Sequence, residues 1–257
     1  MSKIFIRNRS SRNISVFLEK AEEQRGLVFI MHGLGGFKEQ PHIRTYAQVF
    51  KQNNFSVITF DTINSVGESG GEMAEATLTN YYEDLEDVIA WAKTQDFFQE
   101  PFVLAGHSLG SFCIVFYAEN NPQKVKAIAP TSAVVSGSLL EETTDFKEVA
   151  DEWKKKGIRE WESSSQPGVI KRLKWSHVED RRKYNLLPLI DKIKIPVLMI
   201  VGEMDDVTPV EHQTILFNAL TTKEKEFYII KGASHTFKYV QHLNEIKGIF
   251  DKWIKKI

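Results

Sequence analysis

Six short, almost uninterrupted apolar runs punctuate the sequence, at residues 27–31, 55–60, 102–105, 125–129, 197–201 and 227–230. A strand with one face in water alternates apolar and polar side chains. A run that is apolar at every position must be buried on both faces, the condition of a central strand in a parallel sheet. Helical stretches lie between the runs. The clearest covers residues 81–92, where Tyr81, Leu85, Val88, Ile89 and Ala92 recur at three- and four-residue intervals. Parallel neighbours need long crossovers, so strand and helix in alternation predict a mostly parallel, doubly wound α/β sheet. Residues 3–8 and 13–19 alternate apolar and polar across Arg9-Ser10-Ser11-Arg12, the pattern of an N-terminal antiparallel hairpin at a sheet edge.

The alternation is interrupted once, over residues 136–187. This stretch is charged, carries Trp153, Trp161 and Trp175, and has a breaker at residues 163–168. It reads as a small helical cap inserted into one α/β domain spanning residues 1–257. A chain of this length can bury roughly 75% of its unfolded surface.

Charge narrows the partners. Lys and Arg number 33 against 34 Asp and Glu, so no basic footprint for nucleic acid is present, and the substrate is expected to be a small molecule and not a polyanion. Cys113 is the single cysteine, which excludes an internal disulfide framework and a cysteine-rich zinc site and suits a reducing, cytoplasmic setting. No apolar run approaches the roughly 20 residues of a membrane span, and the first residues do not form a secretory signal. Histidines one helical turn apart are absent, so neither a metal nor another cofactor is expected.

The chemistry is concentrated at Gly106-His107-Ser108-Leu109-Gly110, between the apolar run 102–105 and the helix-like stretch 111–118. Gly-x-Ser-x-Gly in a strand–turn–helix setting forces the serine into a strained backbone conformation and exposes its hydroxyl above the sheet, over a helix N-terminus that favours negative charge. His32-Gly33-Leu34-Gly35-Gly36 follows the first central run. A glycine-rich turn lets backbone N–H groups approach a developing oxyanion, and Leu34 and Leu109 are the expected donors. The turn does not fit a phosphate-binding loop, and His32 reads as a strut for it.

A serine of ordinary pKa needs a base, and the base an orienting carboxylate. His235, in Gly232-Ala233-Ser234-His235 beyond the last run, falls at the carboxyl edge of the sheet, where parallel strands gather their reactive groups. His212 and His242 fall in predicted helices and His42 and His177 in polar segments, and all four are expected on the solvated surface; His107 belongs to the serine turn. The acid lies in Gly202-Glu203-Met204-Asp205-Asp206-Val207-Thr208-Pro209, and spacing does not separate Asp205 from Asp206.

Together these motifs resemble the α/β-hydrolase superfamily, and within it carboxylesterases, cinnamoyl or feruloyl esterases and monoacylglycerol lipases. The resemblance runs from His32 to the terminal helix. It implies a serine hydrolase cleaving a carboxylic ester or thioester through Ser108, His235 and an aspartate, and its Gly-x-x-Asp-x-x-x-Pro pattern maps onto Gly202, Asp205 and Pro209, favouring Asp205. Phe60-Asp61 and Gly67-Glu68-Ser69-Gly70-Gly71 are similar to the family's loop after the second parallel strand. Thr62-Ile63-Asn64-Ser65-Val66 replaces a shorter Arg-Gly-His stretch there, a departure that bears on the acyl pocket and not on the triad. An amidase or peptidase, a carbon–carbon bond hydrolase, and a non-catalytic small-molecule receptor are the rival readings. Trp153, Trp161, Trp175 and Phe146 either line an apolar or aromatic acyl pocket or dock the cap.

Overall fold

The computed structural model describes residues 2–163 and 168–257. Eight strands form one sheet in the order β1-β2-β4-β3-β5-β6-β9-β10. The N-terminal hairpin is β1 (Ser2–Arg7) and β2 (Asn13–Glu19), and β2 joins the rest by running antiparallel to β4 (Phe55–Phe60). The other strands are parallel: β3 (Gly26–Met31), β5 (Phe102–His107), β6 (Val125–Thr131), β9 (Val197–Gly202) and β10 (Lys225–Ile230). Each of the six apolar runs is a strand of this sheet.

Both faces of the sheet are covered, which is why those runs show no alternation. In β3, Leu27, Phe29 and Met31 join one core while Val28 and Ile30 join the other. The first core also takes residues of α2 (Leu78–Ala92), α3 (Leu109–Asn120) and α7 (Val210–Ala219), the second those of α1 (Pro41–Gln52) and α8 (Val240–Ile254). Thr77 caps α2 by accepting the Asn80 N–H.

The segment between β6 and β9 is not purely helical as expected. It holds α4 (Gly137–Glu142), α5 (Thr144–Lys156), a two-stranded antiparallel hairpin of β7 (Ile158–Glu162) and β8 (Ile170–Lys174), and α6 (Ser176–Arg181). Gly157 ends α5 in the left-handed conformation, φ +72°, and turns the chain into β7. The hairpin alternates: Arg159 pairs with Leu173 and Trp161 with Lys171 on one face, and Glu160 pairs with Arg172 on the other. Of the 163–168 breaker, residues 164–167 lie outside the described residues.

Candidate active site

The elbow between β5 and α3 holds Ser108 at φ 55°, ψ −117°, a left-handed φ that a side chain adopts only where its surroundings impose it. Two close approaches impose it here. A Cβ on Gly110 would lie 2.4 Å from the His32 carbonyl oxygen, and one on Gly106 would lie 2.9 Å from the Gly110 backbone. Only hydrogen at these positions lets α3 start directly against the end of β3.

His235 lies on the loop after β10, its Nε2 3.0 Å from Ser108 Oγ. Its Nδ1 is 2.9 Å from Asp205 Oδ2 and 3.0 Å from Oδ1. Asp205 follows β9 and is buried, and its Oδ1 accepts the Val207 and Thr208 N–H groups. Burial alone would raise this carboxyl, but the His235 imidazole beside it and the Thr208 N–H outweigh that and hold it below the usual aspartate range. Asp206 is exposed and has no part in this arrangement. The geometry thus separates the two aspartates that spacing left equal.

Leu34 and Leu109 both border the same cavity. Leu109 is the first residue of α3, so its N–H has no carbonyl within the helix to meet, and the helix N-terminus adds its positive field. His32 is a strut: its Nδ1–H donates to the Gly33 carbonyl (2.8 Å) and its Nε2 accepts the Thr62 N–H (3.1 Å). Burial lowers its pKa, keeping it neutral in that role.

The four histidines expected at the surface are all buried. His42 sits on the inward face of α1 with its ring 4.3 Å from that of His107, and burial pushes its pKa down to about 3. His107 does more than shape the elbow. Its Nε2–H donates to the His235 carbonyl (2.7 Å), tying the His235 loop to the serine turn. No sequence signal marks that bond, since it joins residues 128 apart.

The cavity over Ser108 measures about 320 Å³. The hairpin face bearing Arg159, Trp161, Lys171 and Leu173 forms part of its wall, together with Phe146, Trp153 and Arg181. Trp153 is fixed by its Nε1–H bond to the Leu173 carbonyl (2.9 Å). Trp175 does not reach the cavity; it stacks behind Phe146 and meets Trp153 edge to face. The loop after β4, where the departure from Arg-Gly-His falls, does not line the cavity either. Asp61 there binds Lys38 Nζ at 2.7 Å and receives the Lys38 and Glu68 N–H groups, so the loop is internally cross-linked. Among the described residues no group of acidic, histidine or cysteine side chains is arranged to hold a metal, and no helix is long and apolar enough to cross a membrane.

A mostly parallel sheet with a strained serine between β5 and α3, facing a histidine on the last strand's loop, defines an α/β-hydrolase-fold enzyme, and the comparisons with known proteins agree. Residues 22–179 match the family described as serine aminopeptidase, S33, and the chain belongs to that family. It is a serine hydrolase of carboxylesterase-like type. Residues 183–252 match the acetyl xylan esterase family. Among curated proteins, an uncharacterized 31.7 kDa protein of Escherichia coli is 26% identical over 90% of both chains. The mitochondrial palmitoyl-protein thioesterase ABHD10 of Bos taurus is 25% identical over 80% of this chain and 66% of its own length. Among solved structures, Est1E from Butyrivibrio proteoclasticus, determined with ferulic acid bound, superimposes with a TM-score of 0.81 at 19% identity, covering 98% of each chain.

Proposed function

We propose that the protein hydrolyses a carboxylic ester or thioester of a small molecule through an acyl-enzyme on Ser108. The observation that carries this reading is the continuous line of contacts from Ser108 Oγ to His235 Nε2 (3.0 Å) and from His235 Nδ1 to Asp205 (2.9 Å). Asp205 keeps the Nδ1–H tautomer in place, leaving the Nε2 lone pair aimed at the hydroxyl. As Oγ attacks the carbonyl carbon its proton passes to Nε2, and the oxygen that gains charge is received by the Leu34 and Leu109 N–H groups. The imidazolium returns the proton to the leaving alcohol or thiol, and water repeats the sequence to free the acid. The relative named as a thioesterase and the structural neighbour holding ferulic acid support ester and thioester chemistry over amide chemistry.

The segment 136–187 serves as the cap of this site in the same reading, supported by the presence of Leu140, Phe146, Trp153, Trp161 and Leu173 on the cavity wall. Those side chains suit an apolar or aromatic acyl group. A cytoplasmic setting is part of the proposal and is supported by the free, buried Cys113. The test is labelling with a fluorophosphonate. The adduct is expected on Ser108 alone, and Ser108→Ala is expected to lose both adduct and ester turnover by several orders of magnitude with its circular-dichroism spectrum retained. Turnover retained in that variant would refute the reading.

A further inference from the structure

The inward face of the cap hairpin sets cations beside apolar side chains, Arg159 and Lys171 among Trp161 and Leu173. Strand β8 points Lys171 inward, 8% exposed, and leaves the neighbouring Ile170 55% exposed. Lys171 takes part in no ion pair or hydrogen bond among the described residues, and burial lowers its pKa. It stands near the proposed oxyanion turn, its Cδ 3.3 Å from where a Cβ on Gly35 would be. Arg181, at the end of α6, is likewise buried at 7% exposure. Its Nε and Nη2 are sealed from solvent with no hydrogen-bond partner, and its guanidinium lies 4.6 Å over the Phe146 ring. Glu141, the acid whose field reaches it, is held by Arg182 through two bonds of 2.7 and 2.8 Å. Burial pushes the Arg181 pKa down to about 10, so it remains charged at neutral pH.

Three cations, Arg159, Lys171 and Arg181, therefore line the cavity against one acid, Asp145, whose side chain is half exposed and 3.6 Å from Arg159. Buried cations with no anion bonded to them, as at Lys171 and Arg181, destabilise a fold, and an apolar side chain at Lys171 would pack the hairpin better. The arrangement is accounted for by an anion that arrives with the substrate. The apolar wall and the cations together describe an amphipathic ligand with a hydrocarbon or ring portion and one negative group.

We infer that the physiological substrate is an ester carrying a carboxylate, which Arg181 and Lys171 receive inside the cap while Ser108 attacks the ester carbonyl. This rests on the hydrolase reading, and the test separates the two. The purified enzyme is assayed with mono(4-nitrophenyl) adipate and with 4-nitrophenyl hexanoate, which differ in the terminal group. The wild type is expected to show kcat/KM at least about tenfold higher for the adipate, and Arg181→Met and Lys171→Met to lower that ratio, by about 10- to 100-fold for the arginine. Arg181→Lys is expected to restore part of it. A wild-type ratio of one or less, or a ratio that neither variant moves, overturns the inference while leaving the hydrolase reading intact. Should Arg181→Met fail to fold, the wild-type ratio and Lys171→Met decide. If neither ester is turned over and no fluorophosphonate adduct forms, the hydrolase reading has failed. Calorimetry with monomethyl adipate then decides the anion site: binding weakened by Lys171→Met supports it, and no binding overturns it.

Discussion

Replacing Asp205 with asparagine isolates the contribution of a proton's position, because the surrounding bonds dictate which way the amide must face. Oδ1 accepts two backbone N–H groups, from Val207 at 3.1 Å and Thr208 at 2.8 Å, and an amide nitrogen there would oppose both donors. The amide oxygen must take that position, which turns the NH2 toward His235 Nδ1 in place of Oδ2. Accepting that NH2 at Nδ1 moves the histidine's proton to Nε2, facing the Ser108 hydroxyl 3.0 Å away, in competition with the tautomer that still donates from Nδ1 to the oxygen at the Oδ1 position, also 3.0 Å away. In the Nε2–H tautomer the base is lost with the geometry intact. For such a tautomer reversal kcat falls by about 10³–10⁴, with KM little changed. The assay is steady-state hydrolysis of 4-nitrophenyl acetate by Asp205→Asn and, in parallel, Asp206→Asn, whose exposed carboxylate makes none of these bonds and whose loss is expected to cost less than about threefold. Equal effects, or a larger one at Asp206, would refute the argument. A second readout is acid stability. The folded Asp205 pKa is depressed, so its contribution is present above the unfolded value of about 3.9 and is lost as pH falls through the lower folded value, and Asp205→Asn should flatten that part of the melting profile.

Trp161→Ala should change the ranking of esters by acyl chain length by about 10- to 200-fold, whereas Trp175→Ala, which removes packing behind Phe146, should lower the melting temperature first. A Trp161→Ala variant with unchanged ranking would assign that ring to docking alone. Gly110→Ala forces a Cβ to within 2.4 Å of the His32 carbonyl oxygen and should lower the melting temperature by about 3–10 °C; an unchanged Tm would mean the elbow yields more readily than its contacts imply. Glu119 on α3 is buried with neither oxygen bonded, and burial pushes its pKa up to about 8. Its folded value exceeds the unfolded one, so the protonated form contributes stability fully below about pH 4 that is lost as pH rises through about 8, at up to about 1 kcal/mol per pH unit. Glu119→Gln should remove that slope between pH 5 and 8 in thermal melts, and parallel curves would count against it.

The sheet was legible because burial on both faces erases alternation, and six such runs leave few other architectures. The serine turn and His235 were legible because strand ends of a parallel sheet converge on one edge. The segment 136–187 was less legible for one physical reason: charge in a sequence suggests solvent. In β7 and β8 the inward positions are Arg159, Trp161, Lys171 and Leu173, half of them cationic, so the period-two pattern of a hairpin was hidden inside a charged stretch. The same assumption puts His42 and His177, in polar segments, at the surface, and position in a predicted helix does so for His212 and His242, yet the structure buries all four. His177 bonds the Ala76 carbonyl at 3.1 Å and borders the cavity, a contact between residues 101 apart that spacing does not encode. Asp205 and Asp206 needed coordinates too, because adjacent residues in a loop point in directions set by the turn.

The proposed catalytic groups are distributed unequally across the sheet. Ser108 follows β5, fourth from the β10 margin and flanked by β3 and β6, while His235 hangs from the loop after β10, a marginal strand that pairs on one side only and exposes Tyr228 and Ile229. Proteins open locally at such margins at lower free energy than they unfold globally. Warming would then separate base from nucleophile while the interior of the sheet persists, so inactivation would precede melting and reverse on cooling. Among the bonds that oppose it are the His107 bond to the His235 carbonyl, the Met204 N–H bond to the Ala233 carbonyl at 2.8 Å and the Gly232 N–H bond to Glu203 Oε2 at 2.8 Å. On this reading the temperature at which activity is lost would be set by how firmly one loop is moored, and the rest of the molecule would outlast it.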